Sequence, residues 1–237
     1  MRALVIQHDH VSPPGAVGRR LEECGVEIVF HEVVPEARHF TPDVRTVFPD
    51  VAGFDLVVAM GAPWSVYDEE RIGSWVSDEL DLLRHADASG VPVLGICFGG
   101  QLVAAAHGGA VVPAERAEIG WAPVRTDDPS LVGEGPWFQW HMDRWDLPGG
   151  AREIARNDAS SQAFVLRRNL AVQFHPELDA AMLDLWLTNG GAQVARAHGR
   201  DPDELLAETV EREQAGRTRA AALVDGFLDR VSELTGH

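Results

Sequence analysis

The chain has 237 residues, of which 45% are hydrophobic, so it can form one large domain, or one domain and an appendage. Its formal net charge of −17 argues against nucleic acids and anionic membrane surfaces as partners. All 20 basic residues are arginines, which excludes a lysine Schiff base and a lysine-dependent phosphate loop.

The absence of a membrane-span pattern and of a secretion-signal pattern agrees with the cysteine content on one cellular compartment. No apolar run approaches the roughly 20 residues of a membrane span, and the first residues lack the pattern of a secretion signal. Cys24 and Cys97 are far apart and make no disulfide framework. These features predict a cytoplasmic protein.

Predicted strands and helices alternate in the first half of the chain. Short apolar runs predict strands at residues 3–7, 26–30, 54–60 and 91–96, and amphipathic patterns predict helices at residues 17–25 and 72–88. This alternation is typical of an α/β protein with a mostly parallel sheet covered by helices on both faces. We expect ligands at the carboxyl ends of its strands.

Shorter, turn-rich segments follow Gly109. They predict a small mixed or antiparallel extension, with strands at residues 110–113, 122–126, 137–141, 152–156, 163–166 and 170–174. Two C-terminal helices are predicted at residues 178–197 and 204–234. The apolar stripe of the last helix either packs on the sheet domain or contacts another subunit or partner.

A sharp turn with Cys97 at its apex joins the strand at residues 91–96 to an alanine-rich helical pattern. Gly95 and Gly99 flank the cysteine in the G-x-nucleophile-x-G spacing of a strained strand-to-helix elbow. The first amides of the helix would favour a thiolate and a developing oxyanion. The alternative is a small buried cysteine that only fills space.

A second candidate group follows the strand at residues 170–174. His175 directly follows this strand, and Glu177 lies two residues further on, with Pro176 between them. Such a pair could supply the base that a cysteine nucleophile needs and the carboxylate that orients this base. A lone His-x-Glu is usually surface charge, so the prediction depends on the elbow at Cys97.

GICFGGQ around Cys97 and QFHPE around His175 together resemble the class I, triad-type glutamine amidotransferases, in the same Cys, His, Glu order. The resemblance extends to FDLVVAMGAPWSVYDEE and EIGW, and it covers about residues 1–187. Within that family the chain looks most like stand-alone domains similar to the amidotransferase half of GMP synthetase. The resemblance implies a flavodoxin-like fold for residues 1–187. It does not cover residues 188–237, which the helical pattern predicts to be a C-terminal extension packed on that domain.

The resemblance also implies a role for each matching residue. Cys97 would be the nucleophile, His175 the acid and base, and Glu177 its orienter, while the amides of Ala62 and Phe98 would form the oxyanion hole. Gly61, Gln101 and His141 would contact the substrate. Because the family's loop usually reads Gly-Gly-Pro, Ala62 would be strained if this loop requires a positive φ. No cofactor is expected.

Two other motifs have competing interpretations. His8-Asp9-His10 resembles a metal tweezers at a strand end, but without a third ligand a polar loop lining the pocket mouth is favoured, and no metal site is predicted. Trp137, Trp140 and Trp145 either pack in the core or line the pocket. In the second case they favour an amide with an apolar or aromatic leaving group.

The resemblance implies hydrolysis of a γ-glutamyl amide through a γ-glutamyl thioester, releasing glutamate and ammonia or an amine. The substrate would be glutamine or a γ-glutamyl amine. Three alternatives remain open: an ammonia-donating subunit of a separate synthetase, a non-catalytic regulatory or binding subunit, and an esterase or peptidase of the same fold. A synthetase subunit and a second copy of the chain are the candidate protein partners.

Overall fold

The structure is a computed structural model that describes residues 1–235, with side chains as far as residue 232. The side chain of Leu234, in the predicted C-terminal helix, and residues 236 and 237 of the predicted extension lie outside this part. Within it, one twisted sheet organises the chain, and helices cover both of its faces.

The described strands form one sheet of nine in the order β2-β1-β3-β4-β9-β8-β7-β5-β6. The first five in that order are parallel, and antiparallel pairs continue the sheet beyond β9. The strands are β1 Arg2–Gln7, β2 Glu27–Glu32, β3 Leu56–Ala59, β4 Val93–Ile96, β5 Ala110–Thr126, β6 Gly135–Asp146, β7 Arg152–Arg156, β8 Ser161–Leu166 and β9 Asn169–Val172. The predicted parallel sheet with an antiparallel extension is therefore confirmed.

Alternation of side chains along β1 divides the core into two layers. Ala3 and Val5 face a layer that contains residues of α1 and α6, whereas Leu4 and Ile6 face a layer with residues of α2 and α3. The helices are α1 Gly15–Glu23, α2 Glu69–Ala88, α3 Phe98–Ala106, α4 Ala180–Trp186, α5 Ala192–Ala197 and α6 Pro202–Thr235. Because Leu223, Val224, Phe227, Leu228 and Val231 of α6 belong to the same core as the sheet residues, this part of its apolar stripe packs on the sheet.

Two predicted boundaries were wrong. The segments at residues 110–113 and 122–126 belong to one long strand, β5, whose pairing with β6 shifts register between Pro113 and Glu118. The helix predicted over residues 178–197 is interrupted between α4 and α5, where Asn189 leaves helical geometry and Gly190 has φ of 103°. A positive φ is accessible to glycine at little cost, so the chain changes direction there. The division at residue 187 stays a prediction.

Candidate active site

The turn between β4 and α3 has the geometry of a nucleophile elbow. Cys97 has φ of 51° and ψ of −108°, an unusual conformation for a residue with a side chain, and the residue is 5% exposed. A Cβ on Gly99 would lie 2.0 Å from the Ala59 carbonyl oxygen, and one on Gly95 would lie 2.6 Å from the Gly99 carbonyl oxygen. Only glycine permits this close approach of helix and strand.

His175 and Glu177 form a buried pair. His175 Nδ1 lies 2.8 Å from Glu177 Oε1, and the backbone N–H of His175 donates to the Phe138 carbonyl at 2.9 Å. His175 Nε2 has no hydrogen-bond partner among the described residues. The carboxylate therefore orients the imidazole and leaves its second nitrogen available.

Gly61 lies between the imidazole and the cysteine. A Cβ at this position would be 3.3 Å from His175 Cε1 and 3.9 Å from the Cys97 Cβ. Burial of the imidazole opposes protonation, but Glu177 and Cys97 together outweigh it and raise the pKa of His175 to about 10. The carboxyl ends of β3, β4 and β9 thus bring together Gly61, Cys97 and His175.

Two polar groups close to the Cys97 sulfur were not expected from the sequence. Gln173 Nε2 lies 3.7 Å from the sulfur, and the Trp140 carbonyl oxygen lies 3.8 Å from it. Gln173 is fully buried and precedes His175 by two residues, so it belongs to the QFHPE motif. Its position within this motif was the signal from which its place near Cys97 could have been predicted.

The loop after β3 carries the two backbone positions predicted for the oxyanion hole and the substrate. Neither Gly61 nor Ala62 has a positive φ, so the strain expected for Ala62 is absent. The loop is held to β6 by Asp143, which accepts hydrogen bonds from the Ser65 hydroxyl at 2.5 Å and the Tyr67 hydroxyl at 2.8 Å. Asp143 was not identified from the sequence.

The amide of Phe98 is the other predicted oxyanion-hole donor. Phe98 is the first residue of α3, where a backbone N–H has no acceptor within its own helix. The helix dipole adds partial positive charge at this end. The position is therefore suited to a negatively charged oxygen next to Cys97.

Gln101 and His141 are buried in a polar network behind the elbow. Gln101 Nε2 lies 3.3 Å from both the Asp143 carbonyl oxygen and Gln173 Oε1. His141 Nδ1 lies 2.9 Å from the same carbonyl oxygen, and its Nε2 lies 3.2 Å from Glu118 Oε2. Although burial opposes ionisation, the His141 contact and further hydrogen bonds lower the pKa of Glu118. The substrate-binding roles of Gln101 and His141 stay predictions.

A cavity of about 260 Å³ opens beside the imidazole. Its walls come from the loops after β1 and β3, from β6, and from the break between α4 and α5; they include Asp9, Ser12, His39, Phe40, Gly61, Ala62, Trp64, Arg71, Trp140, His175, Trp186, Asn189, Gly191 and Val194. Trp140 lines this cavity, whereas Trp137 and Trp145 are core residues with 1% and 3% exposure. Trp64 follows the predicted oxyanion-hole residue Ala62 by two positions, whereas Trp186 was not linked to the site by its sequence position.

Two of the three residues His8, Asp9 and His10 at the end of β1 have polar contacts with protein side chains. His8 Nε2 lies 3.0 Å from both carboxylate oxygens of Glu79, and Asp9 Oδ2 lies 3.6 Å from His39 Nδ1. Within the described residues, no three His, Cys, Asp or Glu side chains are grouped so that they could hold a metal ion. No helix in that part is long and apolar enough to cross a membrane.

Comparisons with known proteins agree with this architecture. The family model described as glutamine amidotransferase class-I matches residues 15–185. A GMP synthase (glutamine-hydrolyzing) of Thermomicrobium roseum is 40% identical over 131 residues, which cover 52% of this chain and 23% of that protein. The protein of the same name from Nitrobacter hamburgensis is 32% identical over 233 residues, which cover 90% of this chain and 39% of its own length.

A solved structure extends the similarity to the fold. The crystal structure of a glutamine amidotransferase from Methylobacillus flagellatus superposes with a TM-score of 0.84 at 25% identity, covering 97% of this chain and 94% of that chain. The curated relatives are longer, since the chain spans well under half of the length of each of the two GMP synthases.

Proposed function

Because this chain belongs to the class I glutamine amidotransferase family, we propose that it hydrolyses a γ-glutamyl amide, either glutamine or a γ-glutamyl amine, with Cys97 as nucleophile. The observation that carries the proposal is the placement of the strained Cys97 elbow beside an imidazole that a buried carboxylate orients. A cysteine that only fills space needs neither the strain nor the ion pair.

The first half of the reaction forms a thioester. The Cys97 thiolate attacks the γ-carbonyl carbon, and the resulting oxyanion accepts hydrogen bonds from the backbone N–H groups of Phe98 and Ala62. The C–N bond then breaks while His175 Nε2 donates its proton to the leaving nitrogen, so ammonia or a neutral amine departs. The raised pKa of His175 keeps that proton available at neutral pH.

The second half hydrolyses the γ-glutamyl thioester. Neutral His175 accepts a proton from a water molecule as this water attacks the thioester carbon, and the same two amides stabilise the second oxyanion. Glutamate leaves as the C–S bond breaks, and Cys97 returns as a thiolate beside protonated His175. Throughout, Glu177 holds the imidazole and stabilises its cation.

Glutamate release tests the proposal. Purified chain is assayed with glutamine and a panel of γ-glutamyl amines, and the Cys97→Ala variant serves as the blank. Glutamate formation above the blank, with one equivalent of amine or ammonia, is the expected result. A folded chain that releases no glutamate from any of these compounds contradicts autonomous hydrolysis.

A second candidate is supported by the names of the relatives, which are glutamine-hydrolyzing GMP synthases. In this case the chain would pass ammonia to a synthetase, and glutamate release would require the synthetase partner. Restoration of activity by an added synthetase-containing fraction, with no activity for the chain alone, distinguishes this candidate from autonomous hydrolysis. A non-catalytic subunit would release no glutamate in either assay.

A further inference from the structure

We propose that the cavity beside His175 is an amine-side subsite for apolar or aromatic substituents on the leaving nitrogen. Secondary γ-glutamyl amides would then be better substrates than glutamine. This inference rests on the function proposed above and specifies its substrate class. It depends on which groups line the cavity and on where the imidazole lies among them.

The position of the imidazole identifies the end of the substrate that occupies the cavity. A general acid must lie within hydrogen-bond distance of the leaving nitrogen, so that nitrogen lies next to His175. His175 lines the cavity, and its ring meets the indole of Trp186 edge to face at 4.9 Å between centroids. The substituent on the leaving nitrogen therefore begins next to Trp186.

The walls beyond this point are aromatic. Trp140 and Trp186 lie 5.9 Å apart between centroids, and the lining also includes Trp64 and Phe40, a residue that is 81% exposed. A Cβ on Gly191 would be 3.3 Å from Trp140 Cζ2, so this glycine keeps the break between α4 and α5 close to the indole.

The cavity is larger than ammonia requires. Its volume of about 260 Å³ compares with roughly 30 Å³ for a water molecule, which is similar in size to ammonia. The excess volume accommodates several methylene groups or an aromatic ring.

The charged groups of the lining lie close to other residues of the chain. Asp9 is fully buried, and its Oδ1 accepts from the Val11 N–H, while its Oδ2 has no hydrogen-bond partner among the described residues and lies 3.6 Å from His39 Nδ1. Arg71 stands at the rim, half exposed and 4.0 Å from Asp68. Gln101, which the resemblance assigns to the glutamyl part, does not line this cavity, so we place the glutamyl part outside it.

A filling substitution and a matched control test the subsite. Val194 lines the cavity, whereas Val210 is 60% exposed on α6. We compare kcat/KM for γ-glutamylbenzylamide with kcat/KM for glutamine in the wild type, Val194→Trp and Val210→Trp. The wild type should favour the benzylamide by at least about tenfold, the gain from burying two methylene groups. Val194→Trp should abolish this preference, and Val210→Trp should retain it.

Binding provides a readout that needs no turnover. The Cys97→Ala chain should bind γ-glutamylbenzylamide at least about tenfold more tightly than glutamine in calorimetry, by the same burial of apolar surface. If no compound is hydrolysed but this preference is measured, the proposed hydrolysis fails and the subsite stands. If glutamine is hydrolysed and the benzylamide is neither bound nor cleaved better, the subsite is overturned and hydrolysis stands.

Two further amides test the apolar character of the subsite. γ-Glutamyl-n-pentylamide and γ-glutamyl-4-aminobutylamide have chains of equal length, but the second ends in an ammonium group. The pentylamide should have the higher kcat/KM. A tenfold preference for the aminobutylamide would show that the subsite selects a cation, and the proposal of an apolar subsite would be overturned.

Discussion

The Ser65 hydroxyl donates a 2.5 Å hydrogen bond to Asp143 Oδ2, and this contact holds the loop that carries Gly61 and Ala62 against β6. Tyr67 donates to the other carboxylate oxygen, so one side chain of β6 binds the loop at two points. The Asp143 carbonyl oxygen accepts from Gln101, which lies on α3, the helix that follows Cys97. Asp143 thus connects the loop after β3 to α3.

We predict that Asp143 is a positioning residue for the oxyanion loop. Asp143→Asn weakens two charge-assisted hydrogen bonds and should lower kcat by roughly 10- to 100-fold, with KM changed less than about threefold. Asp146→Asn, at the exposed end of the same strand, is the control and should keep wild-type kinetics. Steady-state kinetics on both folded variants decide the matter, and an unchanged kcat for Asp143→Asn would remove this role.

Alkylation should distinguish the two cysteines. Desolvation raises the pKa of the exposed Cys24 thiol, and Asp225 adds to the effect. Cys97 is buried, but it lies next to an imidazole that is protonated at neutral pH. We expect a glutamine-mimicking electrophile to label Cys97 at least about tenfold faster than Cys24, because a cationic neighbour favours the thiolate. Peptide mass spectrometry measures the ratio, and preferential labelling of Cys24 would contradict the assignment.

Removal of the orienting carboxylate should affect the chemical step. Glu177→Gln retains the shape of the side chain but no longer stabilises the imidazolium, so kcat should fall by roughly 10- to 10⁴-fold with a smaller change in KM. Glutamate release at saturating substrate measures the loss. A wild-type kcat in a folded Glu177→Gln variant would show that Glu177 is only a structural charge.

The His175 pair should also make stability depend on pH. The pKa of His175 is raised from 6.5 to about 10 in the folded chain, so its protonation stabilises the fold fully below about pH 6.5. This contribution is lost as the pH rises through about 10. We therefore expect the free energy of unfolding of the wild type to exceed that of Glu177→Gln most near pH 6 and least near pH 10. Denaturant unfolding at several pH values measures the difference, and a constant difference would contradict the ion pair.

The elements that can be predicted from the sequence are those with local signals. The elbow at Cys97 follows from two glycines and a strand-to-helix change in pattern, and the parallel strands follow from short apolar runs. The break at Gly190 also has a signal in the Gly190-Gly191 pair, but the apolar pattern continues across it and predicts one helix. The continuous apolar pattern therefore gave no indication of the turn that lines the cavity.

Other parts of the site depend on tertiary contacts and have no local signal. Trp64 and Trp186 are 122 positions apart in the chain but line one cavity. Asp143 contacts Ser65 and Tyr67 only because β6 passes behind the loop after β3. The register shift in β5 depends similarly on its pairing with β6. Such contacts require the fold before they can be identified.

The elbow glycines provide the last prediction, which concerns stability. A Cβ at Gly99 would lie 2.0 Å from the Ala59 carbonyl oxygen and 2.9 Å from the Ala59 Cβ, and backbone atoms of a central strand cannot move aside cheaply. We expect Gly99→Ala to lower the free energy of unfolding by more than about 3 kcal/mol, because α3 must shift away from β3. Gly73→Ala is the matched control, since Gly73 lies inside α2 and its added Cβ would meet only Glu69 Cβ, at 3.7 Å. Alanine is the better helix former by about 1 kcal/mol, so this variant should be as stable as the wild type or more stable. Denaturant unfolding of both variants measures the two effects, and equal stabilities would show that the elbow tolerates a side chain at position 99.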